Sequence, residues 1–467
     1  MDKVGILIIS KSLSSSAIID TLLRTEKYQP EFYIIEKQTN PLNQKRAKVH
    51  TVAPNLTIPE ILRFTRKHAK ELTFGLTDTE DFVTAGGRDI VEKETGVPLL
   101  CVTQKYAIER SKADQRLLFT NIWPEVNPRY TVFDPKNTHE ENAVAEVRQL
   151  NEEYDGVVIK PDAPARGAGV GVWGSDFKTE EEMKTFFRNV YSKGRVVVEE
   201  KIEGEESSFQ AFSDGRHFVA APLTRDYKRS MDGNKGRLTG GMGSYRAPTT
   251  WLPFLSASKW EQIVDAEKRA FERWKGRGSN PALRGIVLYD AFMHNGDKLK
   301  ILERNSRGGN TEQMNVLSTI IEDFVDVCHR IIDGTLKSIR FSSRASVVTC
   351  SVPLDYGIPG VKHPQDERID LRDAYGLEEK YGGDLRIFPM DVQARNGTTF
   401  MGTSRSVAVL GLGNSIEDAR QVSLEGVSAL HGPLRRRNDI GSETDIQQSI
   451  NHMRTLAGRD SKMTIAP

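Results

Sequence analysis

The sequence has few cysteines, almost no net charge and no long apolar run, and each shortage excludes a class of protein. Its three cysteines, Cys101, Cys328 and Cys350, are far apart and show no CxxC or Cys/His spacing. This excludes a disulfide framework and a structural zinc site, and it is typical of a reducing compartment. The 65 Lys and Arg residues nearly cancel the 64 Asp and Glu residues, so no long-range field would attract nucleic acid or an anionic membrane.

The apolar start of the chain, residues 1–10 (MDKVGILIIS), is too short to span a bilayer and has no signal-peptide context. It predicts a buried first strand instead. We therefore expect a cytoplasmic protein that acts on small molecules, without nucleic acid or membrane as a partner, as a monomer or a homodimer.

The 467 residues are enough for two to four domains, and the sequence pattern changes along the chain. Residues 1–104 alternate strand-like and helix-like segments, which predicts a doubly wound parallel α/β sheet. Residues 105–342 begin with charged helical stretches and continue with strands that suit an antiparallel sheet. Residues 343–467 predict a small separate α+β domain. The predicted fold class is thus α/β and α+β, multidomain.

The segment KILERNSRGGNTE, residues 300–312, predicts a metal site. Strand alternation puts Glu303 and Asn305 on one face, where both oxygens can reach one Mg²⁺ that also holds phosphate oxygens. A hairpin turned at HNGD brings Asp290 from the preceding strand beside Glu303 as a third oxygen ligand. Arg307 follows as a fixed cation for an anionic group. An exposed sheet face with ordinary charges explains the same pattern about as well.

Two further segments suit a nucleotide. Lys160 ends the strand-like VVIKPD, and the glycine-rich loop from Arg166 to Gly171 offers backbone N–H groups to a polyphosphate, although a flexible turn would look the same. In VVVEEKIEGEESSF, residues 196–209, an apolar strand runs into a hinge that can bind adenine through its backbone while a carboxylate accepts the ribose hydroxyls. A solvated acidic hairpin is the alternative for this segment.

A long basic loop, residues 224–248, contains Lys228 and Arg229 and ends in the glycine-rich GGMG. A solvated charge run explains its basic residues but not its glycines. In combination and in this order, EEKIEGEESSF, RDYKR with GGMGSY, and LERNSRGGNTE resemble the hinge, substrate loop and metal strand of the ATP-grasp superfamily. The sequence is most similar to the phosphoribosylamine–glycine ligase family of purine biosynthesis, and the resemblance spans nearly the whole chain, including SKADQR at 111–116 and TSRSVAVLGLG near the C-terminus.

The resemblance implies an ATP-grasp fold with an N-terminal substrate domain (1–104), a core (105–342) that includes a lid near 121–190, and a C-terminal domain (343–467). It implies ATP and Mg²⁺, or Mn²⁺, as cofactors. It assigns Lys112 and Lys160 to phosphates, Glu199, Glu200 and Ile202 to adenine, Glu206 to ribose, Glu303 and Asn305 to the metal, and Asp290 to the metal aspartate of the wider superfamily. Lys228, Arg229 and Arg307 are the expected catalytic cations, and Arg166 is an expected nucleotide contact.

The implied reaction is ligation: ATP converts the carboxylate of an amino acid into an acyl phosphate, and an amine displaces the phosphate to form an amide. Two segments depart from the family at its amine site, SKSLSSSA (10–17) and LTDTEDF (76–82). Ser12, Ser14 and Ser15 at a helix N-terminus either receive a phosphate or simply cap the helix. The alternatives are therefore a ligase that joins an amino acid to a different amine in a specialised pathway, and a nucleotide-binding paralogue without activity.

Overall fold

The computed structural model describes residues 1–164, 169–358 and 366–463. The N-terminal part is a parallel sheet in the order β3-β2-β1-β4 with helices on both faces. Alternate side chains of β1 and β2 enter two separate hydrophobic clusters, because successive residues of a strand face opposite sides of the sheet. Its elements are β1 Asp2–Ser10, α1 Ser15–Leu23, β2 Tyr28–Glu36, α2 Pro41–Arg46, β3 Ala47–Val52, α3 Ile58–His68, β4 Phe74–Thr77, α4 Glu80–Thr84 and α5 Gly87–Thr95.

The next part is a small α+β unit, called the lid here and defined as residues 130–200. Its antiparallel sheet has the order β5-β8-β6-β7. The helices α7 and α8 pack against this sheet and share one hydrophobic cluster with it. The elements from α6 to the end of the lid are α6 Lys112–Ile122, β5 Tyr130–Phe133, α7 Glu140–Glu153, β6 Val157–Pro161, β7 Gly171–Val172, α8 Glu180–Tyr191 and β8 Val196–Glu200. Single 3₁₀ turns lie at Gln104–Tyr106, Ile108–Arg110, Pro124–Val126 and Asp232–Asn234.

The central part is an antiparallel sheet in the order β10-β9-β15-β16, and the long helix α9 packs across it. β15 and β16 form a hairpin that turns at Gly296 and Asp297. The elements are β9 Glu205–Asp214, β10 Phe218–Ala220, β11 Arg225–Asp226, β12 Arg229–Met231, β13 Lys235–Leu238, β14 Gly243–Arg246, α9 Ala257–Lys275, β15 Arg284–Asn295 and β16 Lys298–Asn305.

The C-terminal part continues a sheet that the central part begins. The order is β11-β14-β17-β22-β19, so β17, buried along its whole length, pairs with β14 from before residue 343. A second small sheet has the order β18-β21-β20. The elements are α10 Asn310–Ser318, α11 Phe324–Ile332, β17 Ala345–Pro353, β18 Arg368–Ile369, α12 Arg372–Tyr381, β19 Leu385–Pro389, β20 Val392–Arg395, β21 Thr398–Met401, β22 Val407–Gly413, α13 Ile416–Ser428, β23 Leu434–Arg435 and α14 Glu443–Met463.

The main C-terminal sheet is therefore shared with the central part and does not stand alone. The strand β17 explains this sharing, because all nine of its residues are buried and the strand therefore has partners on both edges and cover on both faces. Among the helices within residues 1–164, 169–358 and 366–463, none is long and apolar enough to cross a membrane.

Candidate active site

The hairpin β15–β16 presents one carboxylate and one carboxamide on the same face. Glu303 pairs with Ala291 and Asn305 pairs with Tyr289, and the two side chains are two residues apart on β16. Glu303 is partly exposed and can therefore be reached by a ligand. The two oxygen-bearing side chains point in one direction from a rigid strand, as expected from the sequence.

Asp290 does not join them, and its expected role as a third metal ligand is wrong in this structure. Its register partner is Arg304, not Glu303, so strand alternation sends its side chain to the opposite face of the sheet. There its carboxylate accepts hydrogen bonds from Arg304 Nε at 2.9 and 3.1 Å, while Glu267 lies 2.8 Å from the same guanidinium. All three side chains are completely buried, which identifies a structural ion cluster under the site.

Cations from four different segments surround the Glu303 carboxylate. Lys112 begins α6, Lys160 lies in β6 of the lid, Lys228 precedes β12 and Arg307 follows β16. The partial burial of Glu303 favours its neutral form, but these four cations hold its pKa below the ordinary value. Glu303 is therefore ionised at neutral pH and lies where basic side chains from the lid and the central part converge.

Lys160 belongs to a buried network that ties the lid to β16. Its Nζ is 2.7 Å from Glu199 Oε2 and donates to the carbonyl of Leu302 at 3.1 Å, and burial lowers its pKa. Arg116 lies 2.9 Å from the other oxygen of Glu199 and donates to the carbonyls of Ile301 and Leu302 at 3.0 and 2.6 Å. The Glu199 side chain is thus committed to positioning these cations.

Sequence reasoning missed Arg116, although it lies inside the SKADQR segment. It is one helical turn beyond Lys112 on α6, at a spacing that places both side chains on the same side of the helix. Arg116 is buried and donates to the two carbonyls directly before Glu303. It therefore fixes the position of β16 relative to α6. Only the i, i+4 spacing of the two basic residues hinted at this role.

The hinge between the lid and the central sheet follows Glu200. That carboxylate is bound by Arg129 Nε at 2.8 Å, at the outer side of the lid. Ile202 and Gly204 then lead into β9, where Glu206 forms an ion pair with Lys228. Because the side chains of Glu200 and Glu206 already have partners, a nucleotide base at this hinge would contact the backbone. To bind a ligand hydroxyl, Glu206 would have to leave Lys228.

The remaining expected nucleotide contacts are Lys112 and Arg166. Lys112 is buried, and its Nζ is 3.4 Å from the carbonyl of Ala163, directly before the glycine-rich loop. Arg166 lies outside the described residues. Lys112 therefore extends from α6 towards Ala163.

Arg307 and Arg229 have different surroundings. Arg307 lies between the buried carboxylates of Glu80 and Glu109, at 3.7 and 3.6 Å. Burial works against its charge, but these two carboxylates raise its pKa, and burial raises the pKa of Glu109 to about 7. Arg229 instead contacts both oxygens of Asp176 in the lid, each at 3.2 Å.

The structure therefore places Arg229 at the boundary between the lid and the hairpin β12–β13, where its guanidinium also donates to the carbonyl of Gly236 at 2.8 Å. Adjacent residues of an extended chain point in opposite directions, so Lys228 and Arg229 serve different sides of this loop. The contacts of Arg229 are thus with the lid and with its own hairpin, and its expected catalytic role stays a prediction.

A divalent metal fits the donors that are present. Within the described part of the chain no three His, Cys, Asp or Glu side chains gather to form a preformed metal cage. Mg²⁺ seldom uses such a cage, because it usually binds one or two protein oxygens and fills its shell with phosphate oxygens and water. Glu303 and Asn305, one carboxylate and one carboxamide oxygen beside phosphate-binding cations, have this chemistry.

A lid sheet over a central antiparallel sheet, with these oxygens and cations between them, defines an ATP-grasp protein. Residues 126–313 match the family model described as phosphoribosylglycinamide synthetase, ATP-grasp (A) domain. The chain is 30% identical, over 97% of its length, to the whole phosphoribosylamine–glycine ligase of Methanocella arvoryzae. It is 32% identical, over 92% of its length, to 93% of the ligase of the same name from Pyrococcus furiosus. The chain belongs to the phosphoribosylamine–glycine ligase family.

Solved structures agree on the fold. The phosphoribosylamine–glycine ligase of Thermotoga maritima aligns with a TM-score of 0.71 at 23% identity, over 94% of this chain and all of that one. The biotin carboxylase domain of Hydrogenobacter thermophilus 2-oxoglutarate carboxylase, solved with MgADP, aligns with a TM-score of 0.66 at 14% identity, over 98% of this chain and 95% of that one. The multidomain ATP-grasp fold expected from the sequence is confirmed.

Proposed function

We propose that this chain is an ADP-forming carboxylate–amine ligase of the phosphoribosylamine–glycine ligase type, active in the cytoplasm on small molecules. The observation that carries the proposal is the convergence of four cations on Glu303 and Asn305 between the lid and the central sheet. The relatives supply the reaction class, since they are named for joining glycine to phosphoribosylamine. Glycine is therefore the first carboxylate to test, and phosphoribosylamine the first amine.

Different side chains would bind the phosphates, the substrate carboxylate and the nucleoside. Lys112, whose Nζ lies 3.4 Å from the carbonyl of Ala163, and Lys160, which also lowers the pKa of Glu303, would neutralise phosphate oxygens. Lys228 and Arg307, which also lower the pKa of Glu303, would hold the substrate carboxylate and stabilise the negative charge that grows on the transferred group. The backbone from Glu200 to Ile202 would bind adenine, and Glu206 would bind ribose after release from Lys228.

ATP supplies the phosphoryl group, and Mg²⁺ or Mn²⁺ bound by Glu303 and Asn305 would offset its charge. The protein residues need only orient the reactants and exclude water, so no nucleophilic side chain is required. We assign residues 1–104 to the acceptor, residues 105–342 with the lid to the nucleotide, and residues 343–467 to the support of the substrate loop. That support follows from the sheet that β17 shares with β14.

The decisive experiment separates activation from transfer. Purified protein is incubated with ATP, Mg²⁺, one amino acid and hydroxylamine, which traps an acyl phosphate as a hydroxamate without any natural amine. We expect ADP and hydroxamate in equal amounts for at least one amino acid, and at least a hundredfold loss of both in Glu303→Gln. Glu181→Gln, which removes an exposed charge from the lid surface, is the matched control. Absence of hydroxamate with every amino acid would refute the proposal.

A further inference from the structure

The C-terminal helix α14 packs on the sheet that carries the active site. Its residues Ile446, Ile450 and Met453 recur at helical spacing and form one apolar stripe, which packs against the hydrophobic cluster of the central sheet. The helix contacts both β9 and β15 of that sheet. It therefore connects the C-terminal part directly to the sheet that bears Glu303 and Asn305.

A polar stripe lies beside the apolar one, and its first half holds the basic loop (residues 224–248). Asp445 and Ser449 are four residues apart, so both side chains lie on one side of the helix. The Asp445 carboxylate accepts a hydrogen bond from Tyr227 Oη at 2.6 Å, and Ser449 Oγ accepts one from the Arg225 guanidinium. The helix thus holds two residues of the basic loop just before Lys228.

The second half of the polar stripe holds the hinge between the lid and the central sheet. His452 Nδ1 lies 2.7 Å from Glu205 Oε1 at the start of β9, and its Nε2 lies 3.4 Å from Glu203 Oε1 in the hinge. The other oxygen of Glu205 is 2.8 Å from the Arg225 guanidinium. The imidazole and the guanidinium therefore bind the Glu205 carboxylate together, and they join the hinge to the basic loop.

Stability alone does not account for this polar network. Arg225, Tyr227, Glu205, Asp445 and Ser449 are all buried. Replacing buried ion pairs by apolar side chains of similar volume often leaves a protein equally stable or more stable. A buried polar network with satisfied hydrogen bonds fixes one geometry more strictly than apolar contacts do. The position of the segments that it holds is therefore the property to examine.

Those segments carry an ion pair at the site. Tyr227 directly precedes Lys228, and Glu205 directly precedes Glu206, so the network holds the residue before each member of the Lys228–Glu206 pair. Lys228 also lowers the pKa of Glu303. Neighbouring residues of an extended strand point to opposite sides, so Glu205 faces α14 while Glu206 faces the site. The helix thus acts from behind the two segments.

We propose that His452 and Asp445 are positioning residues of the ligase site. His452 fixes the hinge that receives adenine, and Asp445 fixes, through Tyr227, the loop that carries Lys228. The proposal rests on the proposed ligase function. Because the two residues act on different segments, their effects separate: nucleotide binding depends on His452, and use of the amino acid depends on Asp445.

The test compares kinetic constants in the hydroxylamine reaction. His452→Ala should raise the KM for ATP by about five- to tenfold, the value of one hydrogen bond, because ATP must then order the hinge. The KM for the amino acid should stay within about twofold. Asp445→Ala and Tyr227→Phe should show the opposite pattern, because the position of Lys228 is then no longer fixed. His452→Gln keeps an N–H donor for Glu205 and should restore most of the ATP affinity.

A purely structural role gives a different result. In that case the variants would lower the midpoint of urea unfolding but leave both KM values unchanged at a temperature where they are folded, and this would overturn the proposal. Equal increases in both KM values for His452→Ala and Asp445→Ala would also overturn it. Arg454→Ala, at an exposed position of α14, is the matched control and should change neither KM.

Equilibrium binding of ADP with Mg²⁺, measured by calorimetry, distinguishes the possible failures. If no amino acid gives hydroxamate, the ligase function fails, but His452→Ala should still weaken ADP binding while Asp445→Ala should not. If hydroxamate forms and neither variant changes a KM, only the positioning proposal fails. If His452→Ala or Asp445→Ala does not fold, His452→Gln and Tyr227→Phe decide the question. Tyr227→Phe removes a single hydroxyl and keeps the ring, and an unchanged KM for the amino acid in that variant would refute the role of Asp445.

Discussion

Replacing Asp290 by Asn tests whether this carboxylate has a structural role or binds the metal. Asp290, Arg304 and Glu267 are completely buried, so water does not screen their interaction. Removing one partner from a buried ion pair costs about 3–5 kcal/mol. Burial holds the pKa of Glu267 well above its ordinary value, so this group can ionise when the neighbouring charge is lost and recover part of the cost. We therefore expect Asp290→Asn to lower the free energy of unfolding by about 2–4 kcal/mol.

The assay is urea unfolding followed by tryptophan fluorescence, since the ring of Trp274 lies 5.2 Å from the Arg304 guanidinium carbon. The Mg²⁺ concentration that gives half-maximal ADP release is measured on the same protein at a temperature where it is folded, and should stay within twofold of the original value. Asp297→Asn, in the exposed turn of the same hairpin, is the control and should change stability by about 0.5 kcal/mol or less. Unchanged stability together with a tenfold higher Mg²⁺ requirement would refute the assignment.

Three further predictions follow from the site. Glu303→Gln should reduce turnover at least a hundredfold and weaken Mg²⁺-dependent nucleotide binding while the unfolding midpoint stays unchanged; full activity would remove Glu303 from the site. Lys160→Met should raise the KM for ATP by about 10- to 100-fold, because one or two charge-assisted hydrogen bonds to phosphate are lost. Lys193→Met, at an exposed position, should leave the KM for ATP unchanged. Because burial raises the pKa of Glu109 from 4.5 to about 7, the folded chain keeps a proton that the unfolded chain releases. Stability should therefore fall by about 3 kcal/mol between pH 4.5 and pH 7, and Glu109→Gln should abolish this part of the slope in urea unfolding.

The parts of the fold that depend on local pattern could be predicted from the sequence. Alternation of strands and helices in residues 1–104 predicted the parallel sheet, and the two-residue period of β16 put Glu303 and Asn305 on one face. Both depend only on the geometry of one element or on the order of neighbouring elements. The hairpin turn at HNGD was predicted for the same reason.

Pairing register and long-range contacts could not be predicted in this way. A shift of one residue between β15 and β16 decides whether Asp290 lies beside Glu303 or beneath it, and the sequence of the turn did not fix that shift. Asp78 meets the α1 loop across more than sixty residues of sequence, so no local pattern marked it. The pairing of β17 with β14 likewise joins segments about a hundred residues apart, which made residues 343–467 look like an independent unit.

The most direct test of the whole account is a crystal structure of the protein with ADP and Mg²⁺. We predict the metal on the oxygens of Glu303 and Asn305, the phosphates within hydrogen-bond distance of Lys112 and Lys160, and Asp290 still bound to Arg304 on the far side of the sheet. A nucleotide bound elsewhere, or a metal held without Glu303, would contradict the central claim that this face of β16 carries the chemistry.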